Sequence, residues 1–142
     1  MKTIILIFFT VLISTLAVNQ VNAQGSYVVI VNKSNVATTL TKKEVSDLFL
    51  KKTKWKDGSA ATPVDLVSNS KTREQFTLEI HGKSISAIRS FWQQAAFSGT
   101  ASAPPEKAND LEVIEFVKKN PGAIGYVSVS ANNDGVKIVS IQ

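Results

Sequence analysis

Four polar residues in a row, Ser70, Lys71, Thr72 and Arg73, stand inside the stretch "SNSKTREQF". Two hydroxyls can donate or accept a hydrogen bond. The arginine offers a planar fork that fits a carboxylate or phosphate, and the lysine adds a point charge. An apolar stretch, "TPVDLV", precedes the set, and a helical pattern running to Ile80 follows it. The four residues therefore sit where a strand hands over to a helix. A helix start carries unpaired N–H groups and about half a positive charge, and anions collect there. The chemistry this pattern suggests is the holding of a small oxyanion. The same residues also have a plain structural use. Thr72 and Gln75 have the spacing of a capping box, and Arg73 would then be an ordinary surface arginine. Spacing alone leaves both readings open.

Other chemistries find less support. Ser68 and Lys71 form a Ser-x-x-Lys pair, as in penicillin-binding enzymes, but no Lys-Thr-Gly companion follows. His81 is the only histidine and reads as part of a helix end. The chain has no cysteine, so thiol catalysis and thiolate metal sites are excluded, and no histidine cluster supplies a metal set. Asp110, Glu112 and Glu115 stand at and just after a helix start, where acids match the macrodipole. The expectation is a binding protein and not an enzyme, with no catalytic residue, no metal and no cofactor.

The elements that must position the four residues can be read from periodicity. "YVVIVN" (Tyr27–Asn32) is a β-branched apolar run and predicts a buried strand. Thr41 and Glu44 make a capping-box pair, and Val45, Leu48 and Phe49 have helical spacing, so a helix is predicted over Thr41–Leu50. Thr62–Val67 reads as a strand whose Pro63 favours an edge. A helix follows over Thr72–Ile80, ending at His81-Gly82, because glycine suits the left-handed cap. A further helix over Ser86–Phe97 puts Ile88, Phe91, Trp92 and Ala95 on one face. Residues 98–110, with Pro104 and Pro105, read as a loop. Leu111–Lys119 is a helix stopped by Pro121-Gly122. "AIGYVSV" and "VKIVSI" are two more strands around "NNDG". Alternating strands and helices predict an α/β fold, a sheet with helices on its faces. In such folds ligands sit at loops between strand ends and helices, which is where Ser70–Arg73 falls.

The first 23 residues carry a basic start, an apolar run from Thr3 to Val18 and a small residue, Ala23, before Gln24. That order predicts a cleavable secretory signal peptide, a periplasmic or secreted location, and no stable membrane insertion after cleavage. Residues 24–142 then suffice for one domain. The formal net charge is +5, one unit of it from Lys2. Six lysines between Lys42 and Lys56 face only Glu44 and Asp47 in that stretch. The patch reads as a solvated face, with Trp55 in its loop a candidate for partner contact. Exported location and the lack of interleaved aromatics argue against nucleic acid.

Several segments together resemble the periplasmic phosphate-binding proteins of phosphate ABC transporters, and more closely their short single-lobe relatives. They are "VVIVNKSNVATTLTKKEVSDLFLKKTKWKDG", the loop "SNSKTREQF", "FWQQAAFSGTASAPP" and "NPGAIGYVS". The resemblance spans nearly all of residues 24–142. It implies one lobe of the type 2 periplasmic-binding-protein fold, with a central mixed sheet flanked by helices. It also implies inorganic phosphate or a similar oxyanion as ligand, for transport or sensing. The family's phosphate loop commonly reads Asp-Gly-Ser-Gly-Thr-Arg. Ser70, Lys71, Thr72 and Arg73 fall on its Ser, second Gly, Thr and Arg. Ser68 replaces the usual Asp, and Leu66 stands where an arginine often lies. A lone lobe leaves an anion open to water, so binding is expected to be weak unless a second surface closes the site. An envelope protein partner, a homodimer or a scaffold role acting through protein contacts are the alternatives.

Overall fold

The computed structural model describes residues 26–142. The expected signal peptide over residues 1–23 lies outside them. Among the described residues seven strands and four α-helices follow one another: β1 (Tyr27–Asn32), β2 (Thr39–Leu40), α1 (Lys42–Phe49), β3 (Thr62–Pro63), β4 (Asp65–Leu66), α2 (Lys71–Phe76), α3 (Ile85–Phe97), β5 (Glu106–Lys107), α4 (Asp110–Lys119), β6 (Ala123–Ser128) and β7 (Val136–Ile141). A π-helical segment, Thr77–His81, runs directly on from α2.

Five strands form a mixed sheet in the order β2-β7-β1-β6-β3. The central β1 runs antiparallel to β6 and to β7, while β2 joins β7 in parallel and β3 joins β6 in parallel. Only Val64 separates β3 from β4, so Thr62–Leu66 is one extended segment that changes partner. Val64 still donates to the Ile124 carbonyl of β6, whereas Asp65 donates to the Pro105 carbonyl and Val67 to that of Lys107. That switch builds the second, two-stranded sheet of β4 and β5.

The central strands β1 and β6 are buried on both sides because helices cover both faces there. On one face α4 brings Val113 and Val117 against Gly125 of β6, with Val64 alongside. Side chains alternate along a strand, so the next residue, Tyr126, points the other way. There it stacks on Phe76 of α2, with ring centroids 3.8 Å apart and planes 7° from parallel. Phe49 of α1 and Tyr27 of β1 close the same aromatic cluster.

The "PGAIGY" segment owes its composition to this packing. A Cβ on Gly125 would stand 2.9 Å from methyls of Val113 and Val64, and one on Gly122 would stand 2.6 Å from the Ala60 carbonyl oxygen. Both positions admit no side chain without displacement. The Gly122 carbonyl also accepts from the indole N–H of Trp55, 2.9 Å away. Trp55 is therefore buried in the core and not presented to a partner.

The α/β expectation, a mixed sheet with flanking helices, holds. Helix starts do so with shifts of one residue. Thr41 caps α1 in the predicted box with Glu44, and Gly82 ends the π segment at φ 63°. Two elements went unpredicted. β2 and β5 each have two residues, too few for any period, and β5 lies inside the stretch read as a loop. Helix α3 packs Ile88 and Trp92 with Leu50 in a separate small cluster, joined by Phe91 and Ala95 as its spacing predicts.

Candidate functional site

At the end of β4 the chain turns through Val67, Ser68 and Asn69 into α2. Ser70 is the cap. Its backbone is extended, at φ −73° and ψ 128°, and its Oγ accepts the Arg73 N–H at 3.2 Å. The expected Thr72–Gln75 capping box is thus not the one used. Lys71 is already helical, so the cap falls two residues earlier than Thr72. Ser68 and Asn69 are exposed. Lys71 points into solvent with 93% of its side chain exposed, 3.9 Å from Glu74. Thr72 is half-buried on the first turn.

Arg73 is not a surface arginine. Its side chain is 8% exposed, and it reaches back along the segment that precedes it. Nη1 donates to the Leu66 carbonyl and to Glu106 Oε2, each at 2.7 Å. Nη2 lies 3.9 Å from Asp65 Oδ2. Asp65 also accepts the Tyr126 hydroxyl proton at 2.6 Å, and that hydroxyl accepts the Leu66 N–H at 3.3 Å. A chain Tyr126–Asp65–Arg73–Glu106 therefore runs from the aromatic core to the surface, where Glu106 is half exposed.

Charge in this chain is finely placed. Burial pushes the Asp65 carboxyl above the usual carboxylate range, against the pull of Arg73 and of the Tyr126 hydrogen bond. Burial raises the Tyr126 hydroxyl as well, with the Asp65 charge and hydrogen bond adding to it. With Asp65 ionised, one guanidinium faces two carboxylates. The buried side chains leave no unpaired N or O atom among the described residues, as a closed polar network in a dry environment requires.

Sequence reading located Ser70, Lys71, Thr72 and Arg73 at the strand–helix junction, and the structure puts them there. It missed the residues that Arg73 holds. Asp65 had a signal, since one acid inside an apolar strand must find a buried partner. Glu106 had none, because the pairing depends on a two-residue strand brought in from a Pro-rich stretch.

His81 stands apart from this network. Its Nδ1 is 2.8 Å from Ser46 Oγ on α1, and the rings of Phe49 and Phe76 meet it edge-on. Burial drives its pKa down to about 4, with the nearby Lys52 and Arg73 charges adding to the effect. No acid among the described residues completes a triad with it, and no group of three His, Cys, Asp or Glu there would hold a metal. The lysines of the basic stretch are in part engaged. Lys42 pairs with Glu79 and Lys43 with Asp47, while Lys51 and Lys52 lie over the rings of Trp92 and Phe91. Asp110 accepts from the Ser128 hydroxyl at 2.6 Å and Glu112 from the Ala108 N–H, so both serve the start of α4.

Residues 17–141 match the family model described as a PBP superfamily domain. Solved structures share the fold. A protein from Clostridium perfringens, assigned as a phosphate ABC transporter substrate-binding protein and solved with bound phosphate, superposes with a TM-score of 0.66 at 22% identity, over 82% of this chain and 44% of its own. An ABC-type phosphate transport receptor from Vibrio cholerae gives 0.65 at 17%, over 82% and 46%. PstS from Borrelia burgdorferi gives 0.57 at 14%, over 82% and 47%. The chain thus spans less than half the length of these structures. No curated protein matches it.

Proposed function

The chain belongs to the PBP superfamily, and from that premise we propose that it is an exported, periplasmic solute-binding lobe for phosphate or a related oxyanion, serving ABC-type transport or sensing. The observation that carries this reading is the place of Ser70, Lys71, Thr72 and Arg73. They occupy the turn from strand to helix at one edge of a fold shared with phosphate receptors. The Ser70 hydroxyl, the Lys71 ammonium and the Thr72 hydroxyl are the groups open to a ligand. Arg73 supplies charge from behind, already bonded to Leu66 and Glu106. An anion held on this edge alone stays in water, where charge pairing is weak. The lobe is therefore expected to bind in the millimolar range by itself and more tightly when a second surface covers the anion. Calorimetric titration of the purified protein with phosphate, with sulfate as control, tests this. Saturable heat that is lost in Ser70→Ala/Thr72→Val supports the reading. Absence of heat up to tens of millimolar phosphate removes the ligand.

Two observations favour a second reading, a scaffold of the cell envelope that acts through protein contacts. The guanidinium best suited to phosphate already has protein partners, and Phe97 at the end of α3 is 95% exposed. This reading predicts no phosphate binding, and envelope partners lost on Phe97→Ser.

A further inference from the structure

We infer that Glu106 is a built-in counter-anion: its carboxylate occupies the Arg73 guanidinium and sets whether this lobe accepts an external oxyanion. The inference rests on the oxyanion reading of the same edge and adds the residue that controls it.

The geometry has three parts. First, of the two carboxylates beside the buried Arg73, Asp65 is itself buried and Glu106 is the one that reaches water. The Arg73 side chain is 8% exposed and that of Glu106 49% exposed, so Glu106 is the solvent-facing partner of the guanidinium. Second, Glu106 uses one oxygen, Oε2, in a 2.7 Å charge-assisted hydrogen bond to Nη1. That is the geometry a phosphate oxygen would take on the same nitrogen. Third, the backbone holding Glu106 is fixed. The Pro105 and Lys107 carbonyls on either side accept from Asp65 and Val67. The main chain stays paired whether the carboxylate is on the arginine or swung into solvent.

The charge balance makes the carboxylate decisive. Arg73 faces Asp65 at 3.9 Å and Glu106 at 2.7 Å. With both acids ionised the surroundings of the guanidinium carry net negative charge and oppose a phosphate. Removing the Glu106 charge leaves the arginine against one buried acid and leaves Nη1 without its outward partner. Glu106 is the half-exposed member of the pair, and its return to water offsets part of the cost of leaving the arginine, so a doubly charged oxyanion can compete for the position, and a neutral side chain there should let it in.

The test compares the purified protein with Glu106→Gln and Glu106→Ala, titrated with inorganic phosphate at low ionic strength, with circular dichroism confirming that each variant is folded. Both substitutions fall on a half-exposed side chain, so the fold should persist. Phosphate affinity at least tenfold higher in both variants is the expected result. Binding by the unsubstituted protein that changes less than twofold in the variants overturns the role of Glu106 and leaves the oxyanion reading standing. Failure of all three proteins to bind phosphate overturns both.

Discussion

Replacing Arg73 by alanine separates a buried structural arginine from a ligand arginine held out to solvent. In the folded protein its Nη1 satisfies the Leu66 carbonyl and Glu106, and its charge lies beside Asp65. Truncation leaves a buried carboxylate without its cation and a carbonyl without a donor. Breaking a buried pair from one side costs about 3–5 kcal/mol, and the orphaned carbonyl is part of that figure. Two features push toward the lower end. Glu106 is half exposed and returns to water, and Asp65, whose pKa is already raised by burial, can take up a proton. The expected loss is about 3 kcal/mol, roughly 10 °C in Tm for a domain of this size. Urea unfolding followed by circular dichroism measures it. Arg73→Met combined with Asp65→Asn removes both charges and should recover more than about 1 kcal/mol relative to the sum of the single variants. A loss below about 1 kcal/mol for Arg73→Ala, or strict additivity in the double variant, would refute the buried network.

Two further outcomes follow from the core. His81 has a pKa of about 4 in the folded protein against about 6.5 unfolded, so the unfolded chain binds the extra proton between those values. Its contribution to stability is complete above pH 6.5 and is lost as pH falls toward 4, by up to about 3 kcal/mol. Asp65, raised by burial, works in the opposite direction, so the diagnostic is the difference between the protein and His81→Gln. A pH slope that is the same in both would remove His81 as its source. Gly125→Ala should destabilise by about 1–3 kcal/mol, as overpacked cores do, because its Cβ meets methyls of Val113 and Val64 at 2.9 Å. Chemical denaturation that finds Gly125→Ala as stable as the parent would mean that α4 sits further from β6 than described.

Local chemistry alone made much of the fold legible. Tyr27–Asn32 and Val136–Ile141 read as strands because their β-branched runs have no competing turn signals. Thr41 with Glu44, and Gly82 after His81, marked helix ends because caps are satisfied within a few residues of themselves. The edge position of Pro63 followed from its missing N–H. The strand–helix junction that carries Ser70–Arg73 was equally readable, since a change of period is a local event.

What those residues touch was not local. Whether Arg73 faces solvent or the interior depends on Asp65, Tyr126 and Glu106, the last two 53 and 33 residues further on. These meet only because Thr62–Leu66 leaves β6 midway and pairs with β5. Trp55 likewise looked free beside its lysines until the Gly122 carbonyl came within 2.9 Å of its indole. Sequence by itself thus determined the α/β architecture, the Thr41–Glu44 cap of α1, the Gly82 stop and the place of Ser70–Arg73 at a strand–helix junction, because periodicity and capping act over a few residues. Only the tertiary structure decided that the arginine of that loop is buried and already holds an anion of its own, because burial and charge pairing are set by elements far apart in the chain.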